Sequence, residues 1–592
     1  MSKHCWNARE IYEAMSRSDP LERADRAWWK EAVVYQIYPR SFNDSDGDGV
    51  GDIPGIVEKV DYLDRLGVDV IWLCPVYDSP NHDNGYDIAD YRSILDAFGT
   101  MADWERLLEE LHSRGMRLIM DLVVNHTSSE HEWFRRSRQR DGKYEEYYHW
   151  KEGRPAAAAD YETADGPADE VAPNNWDSIF GGPAWSYDEE RGQWYLHIFD
   201  PHQPDLNWRN PDVREDVKGE IEWWLEKGID GFRMDAIDLL SKAEGLPDGN
   251  PDGALVGSEH YSHGPRLHEY LREIYDDTLS NYDAMTVGEM GMASVEEAAA
   301  SLGEDGDGLD MVFQFDHMNV DADENGPWGR AEPGDWELTE LKEIVTRKQA
   351  TLEWDALFLS NHDVPRLVSR FGDDERYREE SATLIATFLL TMRGTPYVYQ
   401  GDELGMTNAD FRSREEIDDP QTLGTIDELL EAGAIDAYED VREFVNYRSR
   451  DHARTPMQWD GSAGAGFTDG EPWLKVNENR SRVNVEAALA DEDSIWHYYH
   501  RLIELRDAED VLVYGKYDLL LPEDEQLFAY TRTLEDERVL VVLNWSAEPA
   551  TFEPAALEAA GFEVLIGNYG ESPVDPTGAE FRPYEAVVYR LE

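Results

Sequence analysis

Four short segments bring together residue types suited to breaking a bond at a sugar's anomeric carbon. They are DLVVNH (Asp121 to His126), GFRMDAID (Gly231 to Asp238), VGEM (Val287 to Met290) and SNHD (Ser360 to Asp363). Together they supply an Arg-x-Asp, a lone Glu and a His-Asp pair. Retaining hydrolysis of a glycoside needs a carboxylate nucleophile, a carboxylic acid that protonates the leaving oxygen, and polar groups that grip the ring hydroxyls. In GFRMDAID a strand period of two puts Arg233 and Asp235 on one face. Arg233 is therefore expected to hold Asp235 ionised and to depress its pKa. Glu289, partly desolvated and facing another carboxylate, is expected to have a raised pKa and to serve as the acid. Asp363 beside His362 offers a third carboxylate for ring hydroxyls. Asp121 has the parity to point inward, with Asn125 and His126 at the rim.

Each of these segments ends an apolar run. Eight such runs alternate with amphipathic helical stretches: 33–39, 68–75, 116–124, 228–236, 285–290, 311–315, 356–360 and 396–400. Continuous apolar strands separated by helices imply a parallel sheet. Eight units imply an α/β fold, a (β/α)8 TIM barrel whose site lies at the C-terminal strand ends. Residues 127–198 interrupt the pattern after the third strand and read as an inserted domain. Residues 403–475 form an extended loop after the eighth strand, and the two interruptions are expected to wall the pocket. Residues 1–27 read as an N-terminal arm, 28–126 and 199–509 as the barrel, and 510–592 as a C-terminal antiparallel β-sandwich domain.

DSDGDGVGD is a separate feature. Asp44, Asp46, Asp48 and Asp52 at relative positions 1, 3, 5 and 9, with the Val50 carbonyl at 7, imitate an EF-hand loop. Gly55 stands where the closing Glu would be. The spacing predicts a structural Ca2+, with Mg2+ as the alternative. Two-carboxylate hydrolysis calls for no catalytic cofactor.

Composition narrows the rest. The 592 residues carry a net charge of −72, with 12 Lys and 42 Arg. So acidic a chain disfavours nucleic acid as a partner. Acid spread along the whole chain with few Lys suits molar salt, where the screening length falls to about 3 Å. Cys5 and Cys74 cannot make a disulfide framework. No secretory h-region and no membrane-length apolar run is present, so a cytoplasmic protein acting on small sugars, with no membrane partner, is expected.

The four segments closely resemble the signature regions of the α-amylase family of glycoside hydrolases, and the resemblance covers nearly the whole chain. HQPDLNW (His202 to Trp208), TPYVYQGDELGM (Thr395 to Met406) and RDHARTPMQWD (Arg450 to Asp460) are similar to its oligo-1,6-glucosidase and α-glucosidase subgroup. The resemblance implies that Asp235 is the nucleophile, Glu289 the acid/base and Asp363 the transition-state stabiliser. It also implies that Asp83, Tyr86, His126, Phe199, Gln203, Arg233, His362 and Arg450 line the site of the non-reducing glucose. Tyr86 would stack on the ring. Arg450, with Arg454 as its rival, would pair with Asp83 and close the pocket, making the enzyme exo-acting. The loop at 44–52 resembles the subgroup's calcium loop.

Ala236 after the nucleophile, where α-1,6-specific members often carry Val, favours α-1,4 (maltose-type) substrates. The segment Gly291-Met292-Ala293-Ser294 departs from the Pro-Gly often seen in that group, in the same direction. α-1,6 or sucrose cleavage and transglucosylation or isomerisation stay open within the same fold. A silent accessory subunit is disfavoured, because every catalytic position is kept and no anchor is seen.

Overall fold

The computed structural model describes residues 26–159, 161, 166–302, 308–322 and 336–592. Cys5 and the N-terminal arm expected over 1–27 lie outside these, apart from Arg26 and Ala27.

Each of the eight apolar runs contains a strand: β1 Val34–Ile37, β2 Val70–Leu73, β3 Arg117–Val123, β4 Gly231–Asp235, β5 Met285–Met290, β6 Met311–Gln314, β7 Ala356–Leu357 and β8 Thr395–Tyr399. They form one parallel sheet in the order β6-β5-β4-β3-β2-β1-β8-β7. A parallel bridge between Val312 and Asp355 joins β6 to the start of β7 and closes the ring. The strands are buried on both faces because helices cover the outside and side chains fill the inside.

The covering helices have clear ends. Met101–Ser113 starts at a capping box, with the Thr100 and Asp103 side chains each accepting the other's backbone N–H. Pro211–Lys227 has Asn210 as N-cap, Pro at its first position and Gly228 in the left-handed conformation at its end.

Register places the functional residues. Arg233 pairs with Asp121 on β3 and with Val287 on β5, so Asp121, Arg233, Asp235 and Glu289 share the barrel interior. Gly231 permits this fit. Its φ is +149°, and a Cβ there would lie 2.0 Å from the Met285 carbonyl oxygen. Any larger residue would push β4 from β5 one turn of pleat below the chemistry.

The insertion contributes helix Glu132–Arg138 and a three-stranded antiparallel sheet of Trp150–Lys151, Gln193–Leu196 and Trp185–Asp188. Its own core includes Trp176, Trp185 and Trp194, and it takes in Ala236, Leu239 and Tyr261 from the loop after β4. The insertion is thus anchored on the residue that follows Asp235. The stretch after β8 has a separate small core around Phe411, Ile426 and Val445.

The β domain starts later than the apolar alternation suggests. Asp510–Tyr514 is still helical, and the first strand is Lys516–Leu519. Five antiparallel strands pair in the order 516–519, 527–534, 537–544, 586–591, 562–567. The second layer is the two-stranded ribbon of Ala550–Thr551 and Glu580–Phe581, rather than a full sheet. The other face packs on helix Arg378–Thr391 through Phe388 and Phe528, 5.3 Å apart. Among the described residues, no helix is long and apolar enough to cross a membrane.

Candidate active site

One guanidinium organises the floor of the site. Arg233, 1% exposed, has Nη1 2.5 Å from Asp121 Oδ1 and 2.5 Å from Asp235 Oδ1, and Nη2 2.7 Å from Glu289 Oε1. Trp72 Nε1 donates to the other Asp121 oxygen at 2.7 Å, so Asp121 is fixed from two sides. The backbone N–H of Ala236 donates to Glu289 Oε2 at 3.0 Å. Ala236 holds a left-handed φ of 42°, a turn that aims this N–H back at the acid.

The electrostatics differ from the expectation for Asp235. Burial pushes its carboxyl up to about 7, and Asp121 adds to the rise, against the opposing pull of Arg233. Arg233 therefore does not depress the Asp235 pKa below the ordinary carboxylate range. The reason is that one cation is shared among three carboxylates in a dry site. Burial likewise raises Glu289 to about 7, reinforced by Asp235 and Asp363, as expected for an acid.

Asp363 is the opposite case. Desolvation alone would raise it, but His362, Arg450, Arg454 and Arg233 hold it far below the usual carboxylate range. Arg450 Nη1 lies 3.0 Å and Arg454 Nη2 2.9 Å from the same oxygen, Oδ1. The Gln36 amide lies 2.9 Å from His362 Nδ1, which leaves the His362 proton on Nε2, 3.1 Å from Asp363 Oδ2. Burial keeps His362 neutral, with its pKa lowered to about 3.

Ten of the eleven residues singled out from sequence line one cavity: Asp83, Tyr86, His126, Phe199, Gln203, Asp235, Glu289, His362, Asp363 and Arg450. The eleventh, Arg233, lies beneath it. Gln203 Nε2 donates to Asp83 Oδ2 at 3.0 Å and sits 3.1 Å from His126 Nε2. Tyr86 stacks on His362, ring centroids 5.1 Å apart and planes 4° apart, so His362 covers one of its faces.

Both arginine candidates are at the site, in different places. Arg450 Nη2 is 3.7 Å from Asp83 Oδ1 and closes that end of the cavity. Arg454 reaches Asp363 and the His362 carbonyl from behind.

Two residues escaped sequence reasoning. Phe180, from the insertion, lines the cavity, lies 5.1 Å from the Arg450 guanidinium and meets Phe199 edge-on at 5.5 Å. Asp419 is fully buried and holds Arg450, with Nε at 2.8 Å and Nη2 at 2.6 Å from Oδ1. Aromatic enrichment of the insertion was a weak signal for Phe180. Asp419 had none, being one acid among 126 acidic residues.

At the 44–52 loop, Asp44, Asp46 and Asp48 bring one carboxylate oxygen each to within 4.8 Å of one another. Asp44 accepts from the Gly47 and Gly49 N–H groups at 2.7 and 2.8 Å. Asp52 is outside this cluster of three. Its oxygens accept from Ser45 N and Oγ and from Gly55 N, and it N-caps helix Ile53–Glu58.

A closed (β/α)8 barrel with converging carboxylates at its C-terminal strand ends suits a glycoside hydrolase. The alpha-amylase catalytic-domain model matches residues 36–515, and the maltogenic-amylase C-terminal-domain model matches 517–588. The chain belongs to the alpha-amylase family. An oligo-1,6-glucosidase of Parageobacillus thermoglucosidasius is 50% identical over 576 residues, covering 96% of this chain and 99% of that one. Among solved structures, the trehalose-6-phosphate hydrolase of Bacillus licheniformis superimposes with a TM-score of 0.87 at 44% identity, covering 96% of this chain and 100% of that one. The isomaltulose synthase of Klebsiella sp. LX3 does so at 0.90 and 42%, with the same coverage.

Asp419→Asn keeps the helix cap but removes the charge that holds Arg450. It is expected to lower kcat/KM for glucoside substrates through a raised KM, by about 1–3 kcal/mol, the usual cost of stripping a buried charged partner. Steady-state kinetics beside a melting curve checks this.

Proposed function

We propose that the chain is an exo-acting, retaining α-glucosidase that releases glucose from the non-reducing end of short α-glucosides, with α-1,6-linked oligosaccharides favoured. The observation that carries the mechanism is the shared guanidinium of Arg233, which binds one oxygen each of Asp235 and Glu289. Carboxyls bridged in this way sit close together, as retention through a covalent intermediate requires. Asp235 attacks the anomeric carbon while Glu289 gives its proton to the departing oxygen. Glu289 then takes a proton from water, which releases glucose from Asp235. Asp363, kept ionised, accepts hydrogen bonds from ring hydroxyls and stabilises positive charge developing on the ring.

Exo-action is supported by the far wall. Asp83, Arg450 and Phe180 close the cavity beyond the first sugar. Asp83 Oδ1 is buried and makes no hydrogen bond among the described residues, which suits an acceptor reserved for an outer hydroxyl.

The α-1,6 preference is supported by relatives named oligo-1,6-glucosidase at 50% identity from Parageobacillus thermoglucosidasius and Bacillus cereus. Maltose preference, expected from Ala236, is the weaker reading and rests on that small side chain beside the nucleophile.

A hard cation, Ca2+ or Mg2+, is proposed for the loop of Asp44, Asp46 and Asp48. The converging oxygens fit such an ion, and its contribution would be to stability. A net charge of −72 supports a requirement for high salt, and the free, buried thiol of Cys74 supports a cytoplasmic setting.

Glucose release from isomaltose, maltose and sucrose, in molar KCl and in dilute buffer, tests the assignment. Faster isomaltose cleavage is expected; faster maltose cleavage would restore the Ala236 reading, and transfer products outweighing glucose would favour an isomerising enzyme. Asp235→Asn should abolish turnover with the fold intact. Activity requires Asp235 without its proton and Glu289 with one. As burial raises both to about 7, kcat/KM should rise as Asp235 ionises, peak near neutrality and fall as Glu289 loses its proton. A pH series of kcat/KM measures both limbs. EGTA should lower the melting temperature while leaving kcat/KM at low temperature unchanged.

A further inference from the structure

At the mouth of the cavity, outside the acid–base machinery, two histidine rings lie face to face. The His82 and His202 centroids are 3.7 Å apart and their planes differ by 9°. Both residues are exposed. They come from distant parts of the chain, His82 from the loop after β2 and His202 from the segment that leads out of the insertion. Each directly precedes a residue lining the sugar cavity, Asp83 in one case and Gln203 in the other. Those two are joined by the 3.0 Å hydrogen bond from Gln203 Nε2 to Asp83 Oδ2.

The segments carrying the rings are otherwise stitched mainly to their own neighbours. His202 Nδ1 lies 3.1 Å from Ser129 Oγ, its carbonyl accepts from Ser129 N at 2.7 Å, and its N–H donates to Asp200 Oδ1 at 2.8 Å. On the other side Asp83 N donates to Asp87 Oδ1 at 3.1 Å. Across the gap between the two segments, the ring stack is the outer tie and the Asp83–Gln203 bond is the inner one.

We infer that the His82–His202 stack is a positioning clasp that holds Asp83 and Gln203 in register for the bound sugar. The inference rests on the reading of Asp83 and Gln203 as sugar-binding residues. Imidazole rings attract in this geometry, as aromatic pairs do. Opening the clasp frees Asp83 from Gln203 and weakens the grip on the outer hydroxyls, while Asp235 and Glu289 stay in place.

The test uses His82→Ala, His202→Ala, the double variant and His202→Phe, assayed on isomaltose at neutral pH, with a melting curve for each. Either alanine variant should raise KM about two- to tenfold, the range an aromatic pair is worth. kcat should be held, since only binding common to ground and transition states is lost. The double variant should cost no more than either single one. His202→Phe keeps a stacked ring and should preserve KM. Unchanged KM in both alanine variants, additive effects, or a fall in kcat matching the change in KM would overturn the clasp. Asp83→Ala and Gln203→Ala serve as controls. If they raise KM and the histidine variants do not, the clasp alone fails; if they leave KM unchanged, the sugar-pocket reading fails.

Discussion

One buried cation serving three carboxylates is the constraint on which this site depends. Arg233 touches Asp121, Asp235 and Glu289 at 2.5–2.7 Å, in a barrel interior closed to water from below. A single positive charge cannot neutralise three negative ones at low dielectric, so the cluster retains a proton near neutral pH. In the proposed mechanism that proton goes to the departing glycosidic oxygen, and the remaining negative charge serves the carbon where positive charge develops. Asp121 makes no contact with the cavity, yet it holds the guanidinium from β3 and adds to the field that raises Asp235.

Asp363 completes the arrangement by the opposite device. It lies against two arginines, which it shares with Asp419, and a neutral histidine, and stays ionised. Three carboxylates around one pocket thus carry different charge states because cations are distributed unequally among them. The unequal distribution follows from topology. Arg233 rises from the barrel floor with β4, whereas Arg450 and Arg454 enter from the long excursion after β8, far from Asp121.

The two excursions from the barrel meet over the pocket. Phe180 from the insertion lies against Arg450 from the opposite wall, and the Gly182 N–H donates to Glu428 Oε1 at 2.8 Å. Asp419, at the start of the helix that carries Glu428, locks Arg450. The wall that closes this end of the cavity is therefore built by contacts between loops, and the barrel supplies only the platform beneath them.

Much of this was legible in the chain itself. Eight continuous apolar runs are strands because a strand sandwiched between filled interior and covering helices has no polar face to show. The alternation of Arg233 and Asp235, and their placement with Glu289 and Asp363 at strand ends, follows from a period of two and from barrel geometry. What sequence could not decide was the balance of long-range forces. Arg233 beside Asp235 suggested a depressed pKa, and only the closed barrel, which removes water and adds Asp121 and Asp363, reversed the sign. Asp52, which an EF-hand spacing groups with three other acids, also caps the next helix, a contact the spacing does not show. Asp419, Phe180 and the paired rings of His82 and His202 became visible only in three dimensions, since residues from separate segments of the chain meet through packing that no local pattern encodes. Periodicity and residue chemistry set the strands and the reacting groups; burial and the sharing of charge, which exist only once the chain has closed on itself, set what those groups do.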